Sequence, residues 1–340
     1  YSMNYDFQQS VKNIASHRIL ADNRGEREGF LRVSIETDEV KAQRIVTKAY
    51  VRNNTSLCCE TVKNAALDGY TRLIFPALER EIRGALTEQA SESAIRVFGM
   101  NLRQLLLQPP VKGKVTIGLD PGYRTGCKTA VVDATGRVLE TTVIYPTHSE
   151  AKIRESKHTL RRLIDKYHAE LIAIGNGTAS KETEIFTAEF LQEEGLDEKV
   201  RYMVVSEAGA SVYSASKLAA EEYPDLDLTL RSAVSIAHRL QDPLAELVKI
   251  DPKSVGVGQY QHDMPQKRLS ETLDGVVEDC VNTVGVDLNT ASPSLLKNVA
   301  GITPTIAKNI VAYREENGAF HSRAELKKVS KLGPKAFEQC

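Results

Sequence analysis

The chain has 340 residues, of which 41% are hydrophobic and 26% are charged, which is enough for two or three domains with large cores. Its 44 basic and 45 acidic side chains leave a net charge of −1, which excludes a uniformly polybasic coat protein and makes any anion site local. Five cysteines without a C-x-x-C pair exclude a disulfide-framed secreted scaffold and argue against a structural zinc site.

The sequence carries no targeting signal. No apolar run approaches the roughly 20 residues of a membrane helix, and no signal peptide opens the chain. We therefore expect a reduced, cytoplasmic setting without a membrane partner. The chain starts at Tyr1 and stops at Cys340 inside a helical pattern, so we expect a piece of a longer protein.

Residues 1–108 are predicted to form a helical module, followed by a linker at 109–114 that contains two prolines and a glycine. Apolar residues recur at every fourth position late in the module, which predicts an amphipathic helix opening at Pro76. Its predicted inward positions are Leu78, Ile82, Leu86, Ala90, Ala94, Phe98, Leu102 and Leu106. The alternating pattern of Phe30–Glu36 predicts a short strand.

Residues 115–245 change to strand-type patterning. The predicted strands are Val115–Leu119, Thr129–Asp133, Arg137–Ile144, Leu171–Ile174 and Tyr202–Val205. Helices are predicted after a capping box at Thr147–Glu150, around inward-facing Ile185, Phe186 and Phe190, and from Asp227 to Leu240. A hairpin turn at Ala134–Gly136 and the order βββαβαβα predict a ribonuclease H-like α/β domain.

A candidate ion site follows the first strand of this domain. The segment Gly118-Leu-Asp-Pro-Gly122 places Asp120 at a strand end beside glycines, where a metal ion or a phosphate can approach. A solvated aspartate in a tight turn is the plain alternative. The turns after the fourth and fifth strands offer Asn176 and Glu207.

The acidic set of this candidate site is incomplete for two metal ions, which need three or four converging carboxylates. Asn176 is neutral, and the last helix is predicted to turn Arg231, Ser232 and Ala233 inward, where an arginine suits ion pairing or phosphate contact better than metal binding. We therefore assign no catalytic residue, metal or cofactor. The vestigial candidates are Asp120, Glu207 and Asn176.

The sequence lacks other enzyme signatures. It contains no P-loop, no dinucleotide-binding glycine motif and no nucleophile elbow. An actin-like nucleotidase needs a second Asp-x-Gly phosphate turn, which is not evident. That class remains a distant alternative.

Residues 250–340 are predicted to hold two tandem helix-hairpin-helix motifs, at Pro293–Arg314 and Ser322–Phe337. In such a motif a small turn leads into a proline-started helix whose free N–H groups and dipole favour phosphate. A plain helical hairpin with a solvated basic face is the alternative. The candidate nucleic-acid-binding residues are Gly301, Ile302, Thr303 and Lys308 in the first copy and Lys331, Gly333 and Lys335 in the second.

Several strings resemble the Tex family of bacterial transcription accessory proteins. They include Ser16-His-Arg18, Gly175-Asn-Gly-Thr-Ala179, Glu207–Ser214, Leu240–Glu246 and Val255–His262. The resemblance covers essentially the whole chain and implies a YqgF-like ribonuclease H-fold domain at 115–245 that is a degenerate relative of junction resolvases. It also implies an N-terminal helix-turn-helix region and a C-terminal OB-fold, neither of which is recognisable in this sequence.

The resemblance also bears on function. It implies an RNA- or DNA-binding protein that acts in transcription or RNA metabolism and is similar to a eukaryotic elongation factor that contacts RNA polymerase. We expect a scaffold that binds nucleic-acid backbones without reading sequence, with the transcription machinery as a further partner. The alternative is a Mg²⁺- or Mn²⁺-dependent nuclease or resolvase-like enzyme that uses Asp120 and Glu207.

Overall fold

The computed structural model describes residues 1–53 and 55–340, which divide into two compact units. The first comprises Tyr1–Phe98 with Gly258–Leu269, and the second comprises Gly99–Val257 with Ser270–Cys340. The predicted domain limits at 108 and 115 stay a prediction. Within the described part of the chain, no helix is both long and apolar enough to cross a bilayer.

The first unit is helical, in agreement with the sequence. Its helices are α1 (Ser16–Arg27), α2 (Glu39–Tyr50), α3 (Cys59–Gly69) and the first part of α4 (Phe75–Leu106). The strand predicted at Phe30–Glu36 is wrong, because side chains rather than a neighbouring strand bind its backbone. Glu26 Oε1 accepts from Val33 N at 3.3 Å, and Glu79 Oε1 accepts from Ile35 N at 2.8 Å.

Helix α4 differs from the prediction at its start. A π-helical turn at Tyr70–Ile74 joins α3 directly to α4, so Pro76 lies within continuous helical backbone instead of opening a helix. A wider turn before Pro76 accommodates a residue that has no N–H to donate. The predicted inward face holds for Ala90, Phe98, Leu102 and Leu106. Leu78 and Ile82 are exposed, because a four-residue spacing drifts around a helix of 3.6 residues per turn.

The second unit contains a five-stranded sheet in the order β3-β2-β1-β4-β5, which confirms the ribonuclease H-like arrangement. The strands are β1 (Thr116–Asp120), β2 (Cys127–Val132), β3 (Val138–Ile144), β4 (Leu171–Gly175) and β5 (Arg201–Val205). The first three strands pair antiparallel, while β1, β4 and β5 are parallel. The carboxyl ends of the three parallel strands therefore meet at one edge of the sheet.

Helices cover both faces of this sheet. On one face α5 (Glu150–Tyr167) and α6 (Ser180–Glu193) bury Leu160, Leu163 and Phe190 against β1 and β4. On the other face α9 (Leu228–Gln241) packs its small residues against β1 and β2. Because Gly118 has no side chain, α9 approaches β1 closely: a Cβ on Gly118 would lie 2.2 Å from the carbonyl oxygen of Ala233.

Two predictions about these helices are wrong. The predicted capping box is wrong, because α5 begins after Ser149 and the Thr147 hydroxyl is buried without a hydrogen-bond partner among the described residues. Ile185, predicted to face inward, is 46% exposed, whereas Phe186 and Phe190 are buried as expected. The remaining helices of this region are α7 (Ala210–Ser214), α8 (Lys217–Glu222) and α10 (Pro243–Leu247).

The C-terminal region is helical, as predicted. Helix α11 (Gln266–Val284) precedes α12 (Pro293–Leu296), α13 (Pro304–Asn317) and α14 (Pro334–Gln339). The first arm of each hairpin is shorter than the sequence suggested. It is a single α-turn in α12 and a 3₁₀ segment at Arg323–Lys328 in the second hairpin.

Candidate functional site

The carboxyl edge of the sheet gathers three of the predicted site residues. Asp120 ends β1, Asn176 follows β4 and Glu207 follows β5, and these three strands run parallel. The side-chain oxygen of Asn176 accepts a hydrogen bond from the backbone N–H of Glu207 at 3.0 Å. The sequence order therefore placed these residues together correctly.

The Glu207 carboxylate lies in a cradle of glycine backbone. A Cβ on Gly177 would lie 1.5 Å from Oε1 of Glu207, and one on Gly175 would lie 2.7 Å from its Oε2. The backbone N–H of Gly177 donates to this carboxylate. The glycines of the Gly175-Asn-Gly177 turn are thus needed for space, since any side chain there would displace Glu207.

Burial dominates the electrostatics of the two acids. It raises the pKa of Asp120, opposed by a hydrogen bond from Ser232 and by the charge of Lys128. Burial also raises the pKa of Glu207, and the nearby charge of Asp120 raises it further. The two acids therefore lie close enough for the charge of Asp120 to act on Glu207.

The arginine beside these acids is Arg239, not the predicted Arg231. Arg239 is 4% exposed, and its Nη1 donates to the carbonyl oxygens of Ser206 and Ala208, which flank Glu207. Arg231 instead donates from Nε to the carbonyl oxygen of Tyr223 at 3.1 Å. Ser232, the neighbour of Arg231 that was also predicted to face inward, forms a side-chain hydrogen bond with Asp120.

Other nearby acids have structural partners. Asp227 and Asp242 cap α9 and α10, accepting hydrogen bonds from backbone N–H groups of the first turns. Glu182 accepts a hydrogen bond from the Tyr123 hydroxyl at 2.8 Å. Across the described residues, no group of three or more His, Cys, Asp or Glu side chains is arranged to hold a metal ion.

The first C-terminal hairpin forms the small turn that the sequence predicts between its two helices. Gly301 has a φ of +77°, and the buried Ile302 donates its backbone N–H to the carbonyl oxygen of Val299. Thr303 caps α13 by accepting from Ile306 N, and the exposed Lys308 lies one turn further on. Ile302 is therefore part of the packed turn, whereas Thr303 and Lys308 are exposed.

The second hairpin repeats the first with an offset of 30 residues. Lys331 has a φ of +66° and stands where the first hairpin has Gly301. Leu332 is buried like Ile302 and donates its N–H to the carbonyl oxygen of Val329. Gly333 holds the N-cap position of Thr303, directly before a proline in both copies. A lysine therefore occupies the left-handed turn position, which was not predicted.

The two turns differ in how open they are. A Cβ on Gly301 would lie 3.0 Å from the carbonyl oxygen of Ala336, so α14 packs against the first turn. Lys331, Gly333 and Lys335 are exposed. The left-handed residue of the second turn is therefore exposed, whereas that of the first is partly covered by α14.

Three family profiles match the chain. The Tex central region-like profile matches residues 1–98, the Tex protein YqgF-like domain matches 114–241, and the helix-hairpin-helix motif matches 281–340. The two Tex profiles together account for more than half of the chain. Each match falls on the region that has the corresponding fold.

Curated relatives match the chain from end to end. They include the uncharacterized protein YdcI of Bacillus subtilis (strain 168), at 53% identity over 100% of this chain and 47% of the relative. The transcriptional accessory protein Tex of Neisseria gonorrhoeae is 50% identical over 100% of this chain and 45% of its own length. The human S1 RNA-binding domain-containing protein 1 is 47% identical over 98% of this chain and 34% of its own length. The chain thus spans about half the length of its bacterial relatives, and it belongs to the Tex family.

Proposed function

We propose that this chain is a nucleic-acid-binding part of a transcription accessory protein and that it holds phosphate backbones with its tandem hairpins. The observation that carries the proposal is the repeated turn, in which a left-handed residue and a capped, proline-started helix recur 30 residues apart. Relatives named for transcription accessory function and for an RNA-binding domain support the same function.

The charge of the second hairpin supports this function. Residues 320–340 carry five basic and two acidic side chains within a chain of net charge −1. Lys308, Lys331 and Lys335 are exposed, and none of them has an ion-pair partner among the described residues. Free ammonium groups beside turn N–H groups suit a phosphate backbone and carry no base-specific information.

The experiment compares charge reversal in the hairpins with charge reversal elsewhere. We expect Lys308→Glu with Lys335→Glu to weaken binding about tenfold or more, equally for oligonucleotides of unrelated sequence. The control is Lys181→Glu with Lys217→Glu, which reverses two exposed cations on α6 and α8. Unchanged binding by the hairpin variant, or an equal loss in the control, contradicts the proposal.

A nuclease is the second candidate, favoured by the convergence of Asp120 and Glu207 at the sheet edge. The buried guanidinium of Arg239, which donates to the carbonyl oxygens on either side of Glu207, opposes it, because a fixed cation beside these acids competes with a metal ion. Cleavage of branched DNA or of RNA with Mg²⁺ or Mn²⁺, lost in Asp120→Asn, is the result that supports a nuclease. We expect no cleavage with either ion.

A further inference from the structure

Helices α2 and α3 form a hairpin that the first unit leaves largely uncovered. Neither helix contains a buried residue. Val40 is 79% exposed and Ile45 is 61% exposed, although a helix with one apolar face normally buries that face against another element. The apolar side chains of this hairpin are therefore available to a partner.

A groove of about 470 Å³ runs along one side of this hairpin. From α2 it takes residues spaced three or four apart, which share one helical face. The lining residues are Val40, Gln43, Arg44, Thr47, Lys48, Val51, Lys63 and Leu67. The groove thus combines the apolar side chains of Val40, Val51 and Leu67 with cationic groups.

All the charged residues that line the groove are basic. Arg44, Lys48 and Lys63 line it, and no described lining residue is acidic. Lys63 has a single partner on its own helix, Glu60 at 3.6 Å, while Arg44 and Lys48 have no ion-pair partner within the described ranges. Arg44 and Lys48 therefore present positive charge to the groove that no ion pair among the described residues neutralises.

We infer that the α2–α3 groove binds an acidic, amphipathic protein segment. Its apolar side chains would contact Val40, Val51 and Leu67, while its carboxylates would pair with Arg44 and Lys48. A segment that lies along α2 as a helix presents both sets at matching intervals of three and four residues. This groove shares no residue with the tandem hairpins proposed to bind nucleic acid.

The composition of the groove favours protein over nucleic acid. Single-stranded nucleic acid binds surfaces that combine cations with aromatic rings for base stacking. No described residue that lines this groove is aromatic, and its apolar lining residues are aliphatic. Aliphatic side chains are better matched by leucine-type side chains than by sugar and phosphate.

The test uses the whole chain and a fluorescent synthetic peptide about 18 residues long, with leucines on one helical face and glutamates elsewhere. Fluorescence anisotropy measures its binding. We expect Arg44→Glu with Lys48→Glu to weaken binding about tenfold or more, and Val40→Ser to weaken it in the same direction. Circular dichroism checks that each variant keeps the wild-type helix content.

A matched control reverses two exposed cations of the same hairpin that lie outside the groove, Lys41→Glu with Arg52→Glu. It is expected to leave peptide binding unchanged. Absent peptide binding, equal binding of a peptide with its leucines scattered around the helix, or an equal loss in the control overturns the inference. Stronger competition by a single-stranded oligonucleotide of matching charge assigns the groove to nucleic acid and also overturns it.

Discussion

Gly118→Ala tests whether the contact between β1 and α9 sets the geometry of the sheet domain. The new Cβ would lie 2.2 Å from the carbonyl oxygen of Ala233 and 2.9 Å from Cβ of Ala237. Ordinary contact begins at about 3.4 Å, so α9 must move by roughly 1 Å, because backbone atoms have no rotamer that relieves the clash. Overpacking costs typically about 1–3 kcal/mol, and we expect the upper end of that range.

Urea unfolding measures this cost, with a matched glycine as control. Gly275 lies in the exposed part of α11, and a Cβ added there would have no neighbouring atom within 4 Å, so Gly275→Ala is expected to stabilise by about 0.5–1 kcal/mol. The same glycine-to-alanine change is thus expected to lower the free energy of unfolding at Gly118 and to raise it at Gly275. A Gly118→Ala protein as stable as wild type refutes the reasoning, because it means that α9 does not pack as tightly as described.

Three further predictions concern the two candidate sites. Gly177→Ala is expected to cost about 1–3 kcal/mol in urea unfolding and much less in a Glu207→Ala background, because the clash is with that carboxylate; additive costs contradict this. Burial raises the pKa of Asp120 in the folded protein above its value in the unfolded chain. The free energy of unfolding therefore decreases as pH rises above the usual aspartate range, because ionisation of Asp120 is less favourable in the folded state. Asp120→Asn should therefore stabilise the protein at neutral pH and lose that advantage in acid. If the free energies of unfolding of wild type and variant differ by the same amount at every pH, this prediction is contradicted. Lys331→Gly should stabilise the fold by up to about 1 kcal/mol, since the left-handed turn disfavours a side chain. The same change should weaken nucleic-acid binding, because it removes an exposed ammonium group. A variant whose melting temperature and nucleic-acid affinity both rise, or both fall, contradicts this prediction.

The sequence predicted the sheet domain well because its strands are short apolar runs bounded by turn residues. Their order alone placed Asp120, Asn176 and Glu207 at one edge, since parallel strands end on the same side. The strand predicted at Phe30–Glu36 failed for a different reason. An alternation of apolar and polar residues indicates which side chains are buried. It does not indicate whether the backbone N–H groups bond to a neighbouring strand or to side chains such as Glu79.

Long-range partners and backbone conformation account for the other differences. Arg239 lies two helical turns beyond the predicted Arg231, and only the packed structure shows that its guanidinium binds the loop that carries Glu207. The second hairpin has Lys331 where a glycine is expected, so a search for a repeated glycine aligns Gly333 instead. The 30-residue offset between Pro304 and Pro334 was the signal in the sequence that identifies the correct alignment.

The salt dependence of nucleic-acid binding tests the central claim most directly. For duplex DNA, the slope of log K against log salt concentration is about −0.9 for each phosphate contact, so each contact removed makes the slope shallower by about 0.9. Replacing Lys308 and Lys335 by glutamine is therefore expected to flatten the slope by nearly two units, while Lys181→Gln with Lys217→Gln leaves it unchanged. Identical slopes for wild type and the hairpin variant would show that the tandem turns do not hold the phosphate backbone.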